Sequence, residues 1–169
     1  MDLNLKLHIR NYKGGPGIKV YWSEEKLFDK ILDKKGPTQL QLQIPNFKLP
    51  NTLKIEMYNK DMKYDTLLDK DMNILDDKAC YISEVSFGDI SLTQELFLFE
   101  FKKELGDVSS NNVYLGFNGT FVIDITDDNI HQWYNGLQRH LITNSEQFDY
   151  EKFKTEIFGI NKTKYSVKY

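Results

Sequence analysis

The sequence is short of the residues that usually announce a function. It holds one cysteine, Cys80, so no internal disulfide can form, which fits a reducing compartment. Its two arginines, Arg10 and Arg139, and its formal net charge of -3 argue against a nucleic-acid-binding face, because bidentate readout of phosphate or guanine leans on arginine. The three histidines, His8, His131 and His140, are scattered without zinc spacing. The turn at Gly14, Gly15 and Gly17 lacks the Lys-Ser or Lys-Thr of a phosphate loop. No run approaches the roughly 18–20 apolar residues of a membrane span, and residues 1–10 lack the basic-then-apolar order of a signal peptide. Ala79 is the single alanine, which disfavours a helical bundle.

What the chain does have is rhythm. With 169 residues, 40% of them hydrophobic and 28% charged, one folded domain with one core is expected. Leu3, Leu5, Leu7 and Ile9 alternate with polar residues, and Ile18, Val20 and Trp22 resume the alternation after the glycine turn, so residues 3–22 read as a hairpin. Residues 27–31 form a shorter strand; Leu40, Leu42 and Ile44, then Leu53, Ile55 and Met57, mark two more. Residues 66–68 and 74–75 flank a turn-rich stretch and predict a small hairpin, followed by a strand through Tyr81, Ser83, Val85 and Phe87. The apolar run 96–101 predicts a strand covered on both faces, with a short helix as the alternative over 102–104. Asn118-Gly119 between residues 113–117 and 121–125 predicts another hairpin.

The period changes at Thr126. Ile130, Trp133, Tyr134, Leu137 and Leu141 share one helical face, with Thr126 or Asp127 as N-cap, and Asp149 opens a second helix carrying Tyr150, Phe153 and Ile157. The expected architecture is mainly β: an antiparallel β-sandwich over residues 1–125, a helical appendix over 126–160 packed on the same domain, and a tail over 161–169.

The densest chemical feature is the run Asp61, Asp65, Asp69, Asp71, Asp76 and Asp77, whose hard oxygens suit calcium. An EF-hand loop is excluded: counting from Asp69, Ile74 stands where glycine is needed and Cys80 where a bidentate glutamate belongs. The interleaved Lys60, Lys63, Lys70 and Lys78 support the rival reading of a solvated hairpin. Tyr58 and Tyr64 bracket the acidic stretch and are the candidates for stacking on sugar rings, whereas Trp22 and Trp133 continue apolar faces and are assigned to the core. Cys80 has no nucleophile signature around it and reads as packing.

Leu53, Ile55 and Met57, then Asn59 and Asp61, then Asp77, Lys78, Tyr81, Ile82 and Val85 resemble the last strands of calcium-dependent xylan-binding carbohydrate-binding modules. The resemblance covers about residues 18–90. It implies a jelly-roll-like sandwich, non-catalytic glycan binding, and calcium held by Asp61 and Asp77, with Asp76 beside them and Asp65 in the same stretch. Two departures leave both retained calcium and a retained fold without it open: Lys60 splits the family's Asn-Asp pair, and Ala79 stands where the family has Asn. Tyr21-Trp22, the strand Ile55-Glu56-Met57-Tyr58, Tyr64-Asp65-Thr66 and Phe117-Asn118-Gly119 are similar to segments of small accessory proteins of tailed bacteriophages. That second resemblance implies a place in the virion or the host cytoplasm. It also supplies the alternative function, a virion component or host-directed inhibitor that docks on a protein through a sheet edge or the C-terminal helices. The expected partner is thus a glycan or a host or virion protein, with no nucleic acid, no membrane and the oligomeric state open.

Overall fold

Alternating apolar residues can bury one face of a strand only if a second layer covers it, and in the computed structural model two sheets do this. Residues 1–110 and 112–144 are described; the second helix expected from Asp149 and the tail over 161–169 lie outside them. In chain order the elements are β1 (Asp2–Asn11), β2 (Gly17–Trp22), β3 (Glu25–Ile31), β4 (Gly36–Gln43), β5 (Asn51–Tyr58), β6 (Thr66–Leu68), β7 (Ile74–Phe87) and β8 (Ile90–Leu92). A short 3-10 turn (Gln94–Leu98) precedes β9 (Glu100–Lys103), β10 (Val108–Ser110), β11 (Tyr114–Leu115), β12 (Gly119–Ile125) and helix α1 (Ile130–Asn144). The first sheet runs β11-β7-β1-β4, with β6 and β8 also on β7; the second runs β10-β9-β12-β5-β2-β3. Every pairing is antiparallel. The expected antiparallel sandwich with a C-terminal helix is therefore the fold.

The core lies where the rhythm puts it. Leu3, Leu5, Leu7 and Ile9 of β1 face Ile18, Val20 and Trp22 of β2 and Leu53, Ile55 and Met57 of β5 in one apolar cluster. Each such side chain contributes about 1.5–3 kcal/mol by leaving water. Trp22 stacks on Phe47 with ring centroids 5.2 Å apart. Helix α1 closes one end: Trp133 is buried, its indole N–H donates to the Asp124 carbonyl at 3.2 Å, and Ile130, Tyr134 and Leu137 pack on the same cluster.

Partner choice differs from the expectation in two places. Residues 3–22 are no hairpin: β1 pairs with β4 and β7, β2 with β3 and β5. The glycine turn carries the chain from one layer to the other and is tied to the next loop, with Gly15 N–H on Asp33 Oδ1 at 3.0 Å and Leu32 N–H on the Pro16 carbonyl at 2.9 Å. Nor does Asn118-Gly119 close a hairpin, since β11 pairs with β7 and β12 with β5 and β9. Residues 96–101 divide into the 3-10 turn and β9, because the Glu95 carboxylate turns back to accept the Thr93 N–H at 2.9 Å. The cap of α1 is Asn129 and not Thr126 or Asp127: Asn129 Oδ1 accepts the His131 and Gln132 amides at 3.0 and 3.1 Å.

Candidate functional site

Along β7, Cys80, Ile82, Val85 and Phe87 enter the core, whereas Ala79 and Tyr81 form a separate small cluster with Tyr114 of β11. Two residues before Ala79, the Asp77 carboxylate is buried to 1% exposure and meets three donor side chains. The ammonium of Lys60, also 1% exposed, lies 2.5 Å from Asp77 Oδ1 and 2.5 Å from the Gly116 carbonyl. Thr66 Oγ1 donates to the same carboxylate oxygen at 2.7 Å, and the Tyr114 hydroxyl donates to the other. Burial draws the Lys60 ammonium below its ordinary pKa, against the opposing pull of Asp77 and Asp65.

A second buried pair lies beside the first. Lys78 Nζ is 2.7 Å from Asp65 Oδ2 and 3.1 Å from the Asn59 carbonyl. Asp65 Oδ2 also accepts the Asp61 amide at 2.8 Å. Desolvation works against its ionisation, but the Lys78 hydrogen bond, that amide and nearby positive charge outweigh it and hold the Asp65 carboxyl below its ordinary pKa. Asp76 turns elsewhere, to Arg10 at 3.5 Å and Lys35 at 3.8 Å, and Asp61 Oδ1 accepts the Lys63 amide at 2.9 Å.

The four carboxylates named from the sequence thus sit in one region but do not converge. Asp77, Asp65 and Asp76 each meet a cation of the chain, and Asp61 caps a turn. Calcium takes six to eight oxygens around one point, and among the described residues no group of three or more acidic, histidine or cysteine side chains is placed to hold a metal ion. The residues present do not fit calcium. Lys60 and Lys78, interleaved among acids and read from sequence as solvated, are the groups that sequence reasoning missed; the one hint is Lys60 interrupting Asn59 and Asp61.

On the outer face of the second sheet, the ends of β5, β12 and β9 line a cavity of about 540 Å³. Its walls include Glu56 and Tyr58 of β5 with Asn59 after it, Lys102 and Lys103 of β9 with Glu104 after it, and Gly119 and Thr120 of β12 with Asn118 before it. Register puts Gly119 opposite both Met57 and Lys103. A Cβ at Gly119 would come within 2.4 Å of the Lys102 carbonyl oxygen, so the strands can approach this closely only with glycine there. Asn118 ties the groove to the buried pair, accepting the Lys60 amide at 3.0 Å and donating to the Lys60 carbonyl at 2.9 Å.

Tyr58 forms part of this wall. Its ring lies across Gly17 of β2, its cross-strand partner, where an added Cβ would come within 2.4–2.5 Å of the ring. Its hydroxyl donates to Asp29 Oδ1 at 2.8 Å, and the Lys19 ammonium sits 4.5 Å from the ring centroid while pairing with Glu56 at 2.9 Å. Tyr64 stands apart: it is 54% exposed on the loop before β6, with the Lys63 ammonium 5.0 Å from its ring, and does not line the groove. Cys80 is fully buried, and burial pushes its thiol pKa up, away from the reactive thiolate. Among the described residues no helix is long and apolar enough to cross a membrane.

No protein-family model matches the chain, and no curated protein matches it in sequence. Solved structures do match in fold. The module vCBM60 in complex with galactobiose superposes with a TM-score of 0.52 at 8% identity, over 73% of this chain and 98% of its own. The selenomethionine form of vCBM60, reported with a circular permutation that links two families of calcium-dependent carbohydrate-binding modules, gives a TM-score of 0.50 at 9% identity, over 77% and 96%. The antiparallel sandwich is thus a fold that this chain shares with these modules.

Proposed function

We propose that the protein is a non-catalytic module that binds a glycan in the groove between Tyr58, residues 102–104 and residues 118–120. The observation that carries this is the groove itself, where Tyr58 lies beside amide, carboxylate and ammonium groups. That combination suits a sugar ring, whose C–H faces stack on aromatics while its hydroxyls take hydrogen bonds. The fold shared with a galactobiose-bound module supports the same reading.

The test is isothermal titration with galactobiose and with xylo-oligosaccharides, followed by an oligosaccharide array. Tyr58→Ala is expected to weaken binding at least about tenfold, equivalent to about 1.4 kcal/mol, with little loss of thermal stability. An array on which no oligosaccharide binds the intact protein overturns the proposal. Glu56 and Glu104 both reach the groove, so the bound sugar should also be assayed for new reducing ends; their release would mark a hydrolase instead.

A second reading rests on one surface. Met62, Leu67, Leu68, Met72 and Leu75 of the β6–β7 hairpin region are each 38–73% exposed, an apolar projection suited to a protein partner. On that reading the chain is a virion component or host-directed inhibitor located in the virion or host cytoplasm. Paired serine substitutions at Met72 and Leu75 would then abolish capture by a host or virion protein and leave glycan binding intact.

A further inference from the structure

We infer that Lys60 is a built-in cation: its ammonium occupies the oxygen site formed by Asp77 and the Gly116 carbonyl, so the loop end of the sandwich is held together without a divalent metal. The contact set carries this. Two oxygens of different chemistry, a carboxylate and a main-chain carbonyl, each lie 2.5 Å from one nitrogen that is shut off from water. The carboxylate is fixed from the other side by Thr66 and Tyr114. Lys78 repeats the pattern a short distance away, with the Asp65 carboxylate and the Asn59 carbonyl on one ammonium.

Three chain segments meet at Lys60. Its ammonium reaches β7 through Asp77 and residue 116 before β12, while its own amide and carbonyl hold Asn118 at the groove. A single residue, through its side chain and its own peptide groups, thus links the β5 exit, the long strand and the groove wall, which is what a bound ion does when it draws several loops together. A tethered ammonium differs from an ion in one respect that matters to the solution behaviour. It cannot dissociate, so neither dilution nor a chelator releases it.

The inference stands on these contacts alone and not on the glycan reading, and its test needs no sugar. Thermal unfolding of the intact protein is compared in calcium and in chelator at matched ionic strength; the expected result is one and the same Tm, and a Tm lowered by the chelator overturns the inference. Lys60→Ala is expected to lower the Tm by about 10 °C, and added calcium or methylammonium to restore part of the loss where tetramethylammonium, too large for the vacated space, does not. Should Lys60→Ala fail to fold, the set Lys60→Met, Asp77→Asn and the double variant replaces it. A double variant losing clearly less than the two single losses together supports the pair, and strictly additive losses overturn it.

Discussion

From Cys80 to Phe87, β7 sets Cys80, Ile82, Val85 and Phe87 into the core between two sheets; from Asp76 to Lys78 the same strand carries charges, two of them almost as deeply buried. The first stretch is held by close packing, which has no preferred partner and depends little on pH or salt. The second is held by named pairs, Lys60 with Asp77 and Lys78 with Asp65, in which each member is costly to bury without the other. The lesson is that similar burial stands for different kinds of stability. Apolar burial adds to stability outright, whereas a buried ion pair mainly penalises any arrangement that separates its members, and so fixes which loops meet at that end.

The contrast sets an order of effects. Phe87→Ala, which empties a site beside Trp22, should cost about 3–5 kcal/mol in urea denaturation and do so equally at low and high salt. Lys78→Met should cost about 2 kcal/mol, less than a fully buried pair because both partners keep a little exposure, and much of this should return in Lys78→Met/Asp65→Asn. If the double variant recovers nothing, the two halves of β7 do not differ in the way described.

Acid should act on the charged half through Asp65. The folded pKa of Asp65 lies below its unfolded value, so its contribution is complete above about pH 4 and is lost as pH falls through the folded value. Asp65→Asn should therefore flatten the acid limb of stability against pH, while Phe87→Ala lowers the whole curve without changing that slope.

Much of this was legible in the sequence, and the rest was hidden for a physical reason. A two-residue period states which side chains share a face, so the inward sets of β1, β2 and β5 follow directly from Leu3, Ile18 and Leu53 onward. It carries no information about the neighbouring strand, which is why residues 3–22 and 113–125 suggested hairpins although each pair of strands is divided between the sheets. The fold class was open to reading, whereas Tyr58 was singled out only for its place beside the acidic stretch. The groove's other walls come from strands far apart in sequence, Glu56, Lys102 and Thr120, and only the register of β5, β12 and β9 brings them together. Lys60 and Lys78 look like any surface lysine until Asp77 and Asp65 are placed against them.

Two smaller effects sharpen the comparison at its exposed margins. Gly17→Ala should push the Tyr58 ring aside at a stability cost of about 1 kcal/mol or less, since the far end of a half-exposed ring can move, and should weaken glycan binding in titration by more than that cost suggests. Glu84→Gln removes a cross-strand partner of Lys6 on the solvent side of β7, a pair 52% and 21% exposed, and should change stability by less than about 1 kcal/mol. A loss matching that of Lys78→Met would mean that burial does not separate the two pairs.

The placement of β1 bears on how the chain is made. This strand is made before the other eleven described, yet it sits inside its sheet, flanked by β4 on one side and by residues 78–87 on the other. During synthesis it can find β4 early, but its second flank stays open until residues 78–87 have emerged. Such late, distant pairing makes for slow folding and leaves a growing chain with an uncovered apolar edge. Moving β1 behind β7 by circular permutation should therefore speed refolding more than it alters the final stability.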